Sequence, residues 1–117
     1  MSIQSAHDKL NQAILTGKAM EAFEELYADV ISMQENLDAP CVGKDANRAR
    51  EIAFFGMVEA WHGATLLASA VHGDTSFSEW EFDVTYKGAP RATSRQVSVR
   101  RWQDGKVVDE RFYHKGF

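Results

Sequence analysis

The order of elements in this chain predicts an α+β fold, a cone-shaped, curved antiparallel sheet wrapped over about three N-terminal helices. Three observations carry that expectation. The first half places its apolar residues at helical spacing, while residues 76–117 read as three long strands separated by two tight turns. Nothing resembling a linker, repeat or low-complexity tract separates the two halves, so the 117 residues are read as one domain, residues 1–117.

Ser5 is placed to cap a first helix, with Asp8 favourably set near its positive end. Leu10, Ala13 and Ile14 share a face of that helix, and Gly17 stops it. Residues 18–28 form a second helix that turns Met20, Phe23, Leu26 and Tyr27 inward and Glu21, Glu24 and Glu25 to solvent. Residues 29–35 (DVISMQE) are β-branched enough for a short strand, with Ile31, Met33 and Glu35 on one face. Pro40 and Gly43 make residues 36–43 a loop. Asp45 caps a third helix running to about Trp61, burying Ile52, Phe55 and Val58 with Phe54 and Met57 beside them. Residues 64–72 form a strand of small residues that Gly73-Asp74 turns. Residues 76–86 then alternate cleanly, with Trp80, Phe82, Val84 and Tyr86 against Glu79, Glu81, Asp83 and Thr85. The turn Lys87-Gly88-Ala89-Pro90 leads to a strand at residues 91–102, and Asp104-Gly105 makes a tight hairpin into residues 106–114.

Composition narrows the function. A net charge of −4, with basic residues interleaved among acids, argues against nucleic acid. Cys41 is the single cysteine, so no intrachain disulfide forms, which fits a reducing compartment. Residues 1–12 lack the apolar run of a signal peptide, and no stretch reaches the roughly 20 apolar residues of a spanning helix. The expectation is a soluble cytoplasmic protein with neither a membrane nor a nucleic-acid partner.

Several words then acquire meaning from their order: ELYAD in the second helix, GKDA opening the third, and W-x-DGKVV across the last hairpin. The ordered set, covering nearly the whole chain, resembles the nuclear transport factor 2-like superfamily, and within it the SnoaL-like branch of small bacterial proteins. The resemblance implies a cone with an open-ended pocket, commonly dimerised through the outer sheet face. That superfamily holds ketosteroid isomerase, polyketide cyclases, scytalone dehydratase and limonene epoxide hydrolase, together with many members that do no chemistry, so fold alone does not carry function. Matching Tyr27-Ala28-Asp29 to the isomerase's corresponding word brings Glu35 to the place of its general base. Leu10 and Ser98 fall where the isomerase has its oxyanion donors, so steroid isomerisation is not implied. Phe112 falls where the epoxide hydrolase has an Asp, so that acid set is not reproduced. Glu110 matches a position that is often a pocket residue in the SnoaL-like branch.

Strand parity supplies a candidate pocket. If the turn at residues 87–90 is tight, Glu81 lies opposite Gln96 and Asp83 opposite Ser94, and Glu79, Glu81, Asp83, Gln96, Ser98 and Arg100 share a face. Glu110, Phe112 and His114 share a face of the last strand. Glu35 and Glu110 are therefore the candidate catalytic carboxylates, with Met33, Phe54, Phe55, Glu81, Gln96 and Phe112 as candidate substrate-binding residues. Several acids around one cavity would raise one another's pKa, as proton transfer requires. The competing reading makes residues 79–83 the solvated face of an amphipathic strand. The Trp80-Phe82-Val84-Tyr86 stripe then either packs on the helices or forms a subunit interface. The histidines at 7, 62, 72 and 114 have no metal-ligand spacing, and Cys41 lacks the surroundings of a nucleophile, so neither metal nor cofactor is expected. The functional expectation is a cofactor-free lyase, isomerase or hydrolase using carboxylate acid–base chemistry on a small apolar or cyclic ligand, in a homodimer. The alternative is a non-catalytic ligand-binding or dimerisation module.

Overall fold

The protein is described over residues 2–115 by a computed structural model, so the last two residues of the expected ribbon, 116 and 117, lie outside the described residues. Helix α1 (Ile3–Leu15) begins three residues earlier than the Ser5 cap allows, because the Ser2 side chain accepts from the Ser5 amide instead. Helix α2 (Ala19–Leu26) ends when Tyr27 takes extended angles (φ −99°, ψ 134°) and opens strand β1 (Tyr27–Glu35). A two-residue strand β2 (Cys41–Val42) pairs antiparallel with β1.

Helix α3 (Lys44–Gly56) is shorter than expected, because Gly56 ends it and the β-branched Val58 starts strand β3 (Val58–His72). Asn47 holds its first turn down: the buried side-chain amide donates to the carbonyls of Cys41 at 2.9 Å and Gly43 at 2.8 Å. Strands β4 (Thr75–Tyr86), β5 (Ala92–Gln103) and β6 (Lys106–His114) complete the meander. The six strands lie in the order β2-β1-β6-β5-β4-β3, antiparallel except where β1 runs parallel beside β6. The fold is α+β, as expected, with that one parallel pair as the departure from an antiparallel sheet.

The register between β4 and β5 decides what the cone contains. Trp80 pairs with Gln96 and Glu81 with Arg95, one residue away from the Glu81–Gln96 pairing that a tight turn gives. A one-residue slip sends a strand's side chains to the opposite face. Trp80 and Val84 are therefore buried, and the aromatic stripe packs inward rather than forming a subunit interface. Glu81 is not a pocket residue: it faces outward and pairs with Arg95 at 3.0 Å, as Asp83 pairs with Arg91 at 2.7 Å. On β5, Gln96, Ser98 and Arg100 do face inward.

At the last hairpin, Asp104 (φ 53°) and Gly105 (φ 79°) both take positive φ, the pairing of a type I′ turn. This sets Trp102 against Val107, and a one-residue register shift between Arg101 and Trp102 then brings Arg100 against Glu110, so Glu110 points into the cone. The core lies where α1 and α2 meet β1, β5 and β6, around Leu10, Phe23, Leu26, Ile31, Trp102 and Val107. Trp102 satisfies its indole N–H by donating to Ser76 Oγ at 2.9 Å.

Candidate functional site

Between the helices and the concave face of the sheet lies a cavity of about 140 Å³. An engineered apolar cavity of about this size takes up a benzene molecule. Its walls are largely aromatic. Phe54 of α3 meets Tyr86 of β4 edge-on at 5.9 Å, and Phe82 stacks on Trp80 at 5.7 Å and meets Trp61 at 5.6 Å. Five charged groups stand among these rings: Glu35, Arg50, Glu51, Arg100 and Glu110.

Glu110 is closed into a buried network. Its carboxylate accepts from the Tyr27 hydroxyl and, at 2.7 Å, from Arg100 Nε. Arg100 also donates to Asn11 Oδ1 at 2.7 Å, and the Asn11 amide donates to Ser78 Oγ at 3.0 Å. Burial, and then the Glu110 charge, hold the Tyr27 hydroxyl protonated well above its ordinary range. Both ring nitrogens of His7 face donors, Arg100 at 3.4 Å and the Asn11 amide at 3.2 Å. An imidazolium would set N–H against N–H on both sides, so His7 is neutral here. Burial and then the Arg100 charge accordingly push its pKa down.

Glu35 is tied as well, to Arg50 at 3.1 Å and to His114 Nε2 at 2.5 Å. Glu51 is different. Among the described residues its carboxylate meets a partner only at 3.5 Å, from the far end of Arg50, and its side chain is 19% exposed. Burial pushes its pKa from the ordinary 4.5 to about 7, because Arg50 counters only part of that cost while Glu110 and Glu35 add to it. At neutral pH this group is divided between acid and base, the condition under which a carboxyl group can both give and take a proton.

Of the residues singled out in the sequence, Met33, Glu35, Phe54, Phe55, Gln96, Glu110 and Phe112 line the cavity, and Glu81 does not. Sequence reasoning missed Glu51 altogether. Its signal was present: Asn47, Glu51, Phe54, Phe55 and Val58 recur at helical spacing, and Asn47 is wholly buried. The stripe expected through Ile52 is not the buried one, since Ile52 is 58% exposed. Among the described residues no cluster of His, Cys, Asp or Glu could hold a metal ion, and no helix is long and apolar enough to cross a membrane.

A curved sheet over three helices around an aromatic cavity defines the nuclear transport factor 2-like class of cone folds. Within it, the model of the SnoaL-like domain matches residues 1–114, and the chain belongs to that family. A Mesorhizobium loti protein, provisionally named a SnoaL-like polyketide cyclase, has a similar structure at 27% identity and a TM-score of 0.85, covering 97% of this chain and 99% of its own. A Jannaschia protein with the same provisional name superposes with a TM-score of 0.85 at 12% identity, covering 98% and 90% of the two chains. A Catenulispora acidiphila protein of ketosteroid isomerase-like fold, in complex with trimethylamine, has a TM-score of 0.72 at 19% identity, covering 86% of this chain and 78% of its own. No curated protein matches the sequence.

Proposed function

We propose that this SnoaL-like protein is a cofactor-free lyase, isomerase or hydrolase that moves a proton on a small apolar, ring-sized molecule, with Glu51 as the proton-transfer group. The observation that carries the reading is the inequality of the three cavity carboxylates. Glu35 and Glu110, the residues singled out from sequence, are each held by a guanidinium within 3.1 Å, whereas Glu51, half-buried in the same aromatic-lined cavity, meets one at 3.5 Å and has a pKa pushed up to about 7. In this reading Glu110 and Arg100 are the rigid wall against which Tyr27 is set, and Glu35 and Arg50 position Glu51. Met33, Phe54, Phe55, Gln96 and Phe112 shape the space for the ligand. The Catenulispora protein's trimethylamine is of a size that this cavity would accept.

The test is base-catalysed opening of 5-nitrobenzisoxazole, a compact ring whose C–H is removed by a general base as its N–O bond breaks. The rate over buffer is expected to rise with pH to a plateau above about 7, and to vanish in Glu51→Gln. An undiminished rate in that variant removes the assignment. Wild-type protein no faster than buffer favours the second reading, a non-catalytic ligand-binding module. The pairing of Glu35 and Glu110 with Arg50 and Arg100 supports that alternative.

A further inference from the structure

The charges around the cavity do not balance. Three carboxylates, Glu35, Glu51 and Glu110, face two guanidinium groups, Arg50 and Arg100. Arg100 is spent on Glu110 at 2.7 Å, and Glu35 is held by Arg50 at 3.1 Å and by His114 at 2.5 Å, which leaves Glu51, met by Arg50 at 3.5 Å, as the weakly paired carboxylate. The remaining walls are faces and edges of Phe54, Tyr86, Phe82, Trp80 and Trp61, and such rings attract cations through their quadrupoles. A neighbouring groove shares Ile14, Met20, Phe55 and Trp61 with the cavity, and its charged groups are Glu21, Glu59 and Lys18, again one negative charge in excess. Carboxylates thus outnumber guanidinium and ammonium groups on the walls of both the chamber and the groove beside it.

We propose that the cavity is a site for a small alkylammonium ion, held against the aromatic walls with the Glu51 carboxylate as its counter-ion. The inference rests on Glu51 facing the ligand, as in the functional reading above, but needs no catalysis. Binding is then an exchange: below pH 7 Glu51 is mostly protonated, and the entering cation displaces that proton to solvent. The other ionisable groups around the chamber are Arg50 on α3, Glu35 and Tyr27 on β1, Tyr86 on β4, Arg100 on β5 and Glu110 on β6, with His114 of β6 behind Glu35 at 2.5 Å. Burial raises the pKa of both tyrosines, so neither competes for the exchanged proton in this range.

The experiment is isothermal titration with tetramethylammonium chloride against its neutral counterpart tert-butanol, from pH 5 to pH 8, in buffers of different ionisation enthalpy. Affinity for the cation is expected to fall about tenfold per pH unit below 7, with close to one proton released per cation at pH 6, while tert-butanol binding stays flat. Glu51→Gln should lose the pH dependence and at least about tenfold of the cation affinity at pH 8, leaving tert-butanol unchanged. Phe82→Leu and Tyr86→Leu should weaken the cation more than the alcohol. Equal affinity for the two probes, cation binding flat across this pH range, or full cation affinity in Glu51→Gln overturns the proposal. The benzisoxazole assay reads a rate and this titration an equilibrium, so failure of the one is distinct from failure of the other.

Discussion

Replacing Glu51 by Gln should make the protein more stable, by an amount that depends on pH. The carboxyl group has an ordinary pKa of 4.5 and a folded value of about 7. The folded state therefore binds more protons than the unfolded state between those values, and stability falls as pH rises through them. Two and a half pH units at roughly 1.4 kcal/mol each make the loss about 3 kcal/mol once Glu51 is fully ionised. The side chain is only 19% exposed, so solvent screening removes little of this. Glutamine has the shape of the protonated acid and never ionises. Urea unfolding of both proteins should give nearly equal free energies at pH 4.5 and a variant more stable by about 2–3 kcal/mol at pH 8, with unchanged m-values. Taking the difference at each pH cancels the other titrating groups, His7 included. A variant no more stable at pH 8 than at pH 4.5 would refute the placement of Glu51 as a buried, weakly paired carboxylate.

Other expectations follow from the same geometry. Arg100→Met strands the Glu110 carboxylate with only the Tyr27 hydroxyl and should cost about 3–5 kcal/mol by urea unfolding, whereas Arg95→Met, on the outer face, should cost no more than about 1 kcal/mol. Because the pKa of His7 is lowered, the unfolded chain binds the extra proton, and stability should decline as pH falls below 6.5. A His7→Gln variant should flatten that decline, and an unaltered slope would contradict the neutral assignment. Gly105→Val forces a β-branched residue to φ 79° and should cost more than about 1–2 kcal/mol, disturbing Glu110 through the register as well. Leu67, Phe77 and Tyr113 are exposed side chains of the outer sheet face, and we propose that this face pairs two copies of the chain. Sedimentation should give a dimer that Phe77→Glu dissociates, and a monomeric wild type would rule it out.

Much of the architecture was legible because it rests on local signals. Apolar spacing marked α1 and α2, alternation marked β4, and Asp104-Gly105 marked the last turn, whereas the register shift between Arg101 and Trp102 that brings Glu110 inward has no local signal, and the place of Glu110 in the pocket was implied by the family resemblance. The β4–β5 turn carried no such signal. Lys87-Gly88-Ala89-Pro90 suits more than one loop length, and a single residue of slip moved Glu81 from cavity to surface while leaving Gln96 inside. The limits of α3 misled in another way. A helix running on to Trp61 centres its buried face on Ile52, whereas a helix ending at Gly56 turns Glu51 inward and leaves Ile52 exposed. A glutamate in an apolar stripe reads as solvated until Asn47, one turn earlier, is seen to be buried by its bonds to the β2 and loop carbonyls. The pairing of Glu35 with Arg50 joins residues 15 positions apart on different elements, and no local pattern announces it.

The account turns on one carboxyl group, and its titration is the most direct measurement. Carbon-13 NMR of the glutamate side-chain carboxyl carbons, with the Glu51 resonance assigned by its absence in Glu51→Gln, should show that resonance titrating with a midpoint near 7. A midpoint near the ordinary value of 4.5 would contradict the account, because Glu51 would then be a solvated surface acid with no special place in the cavity.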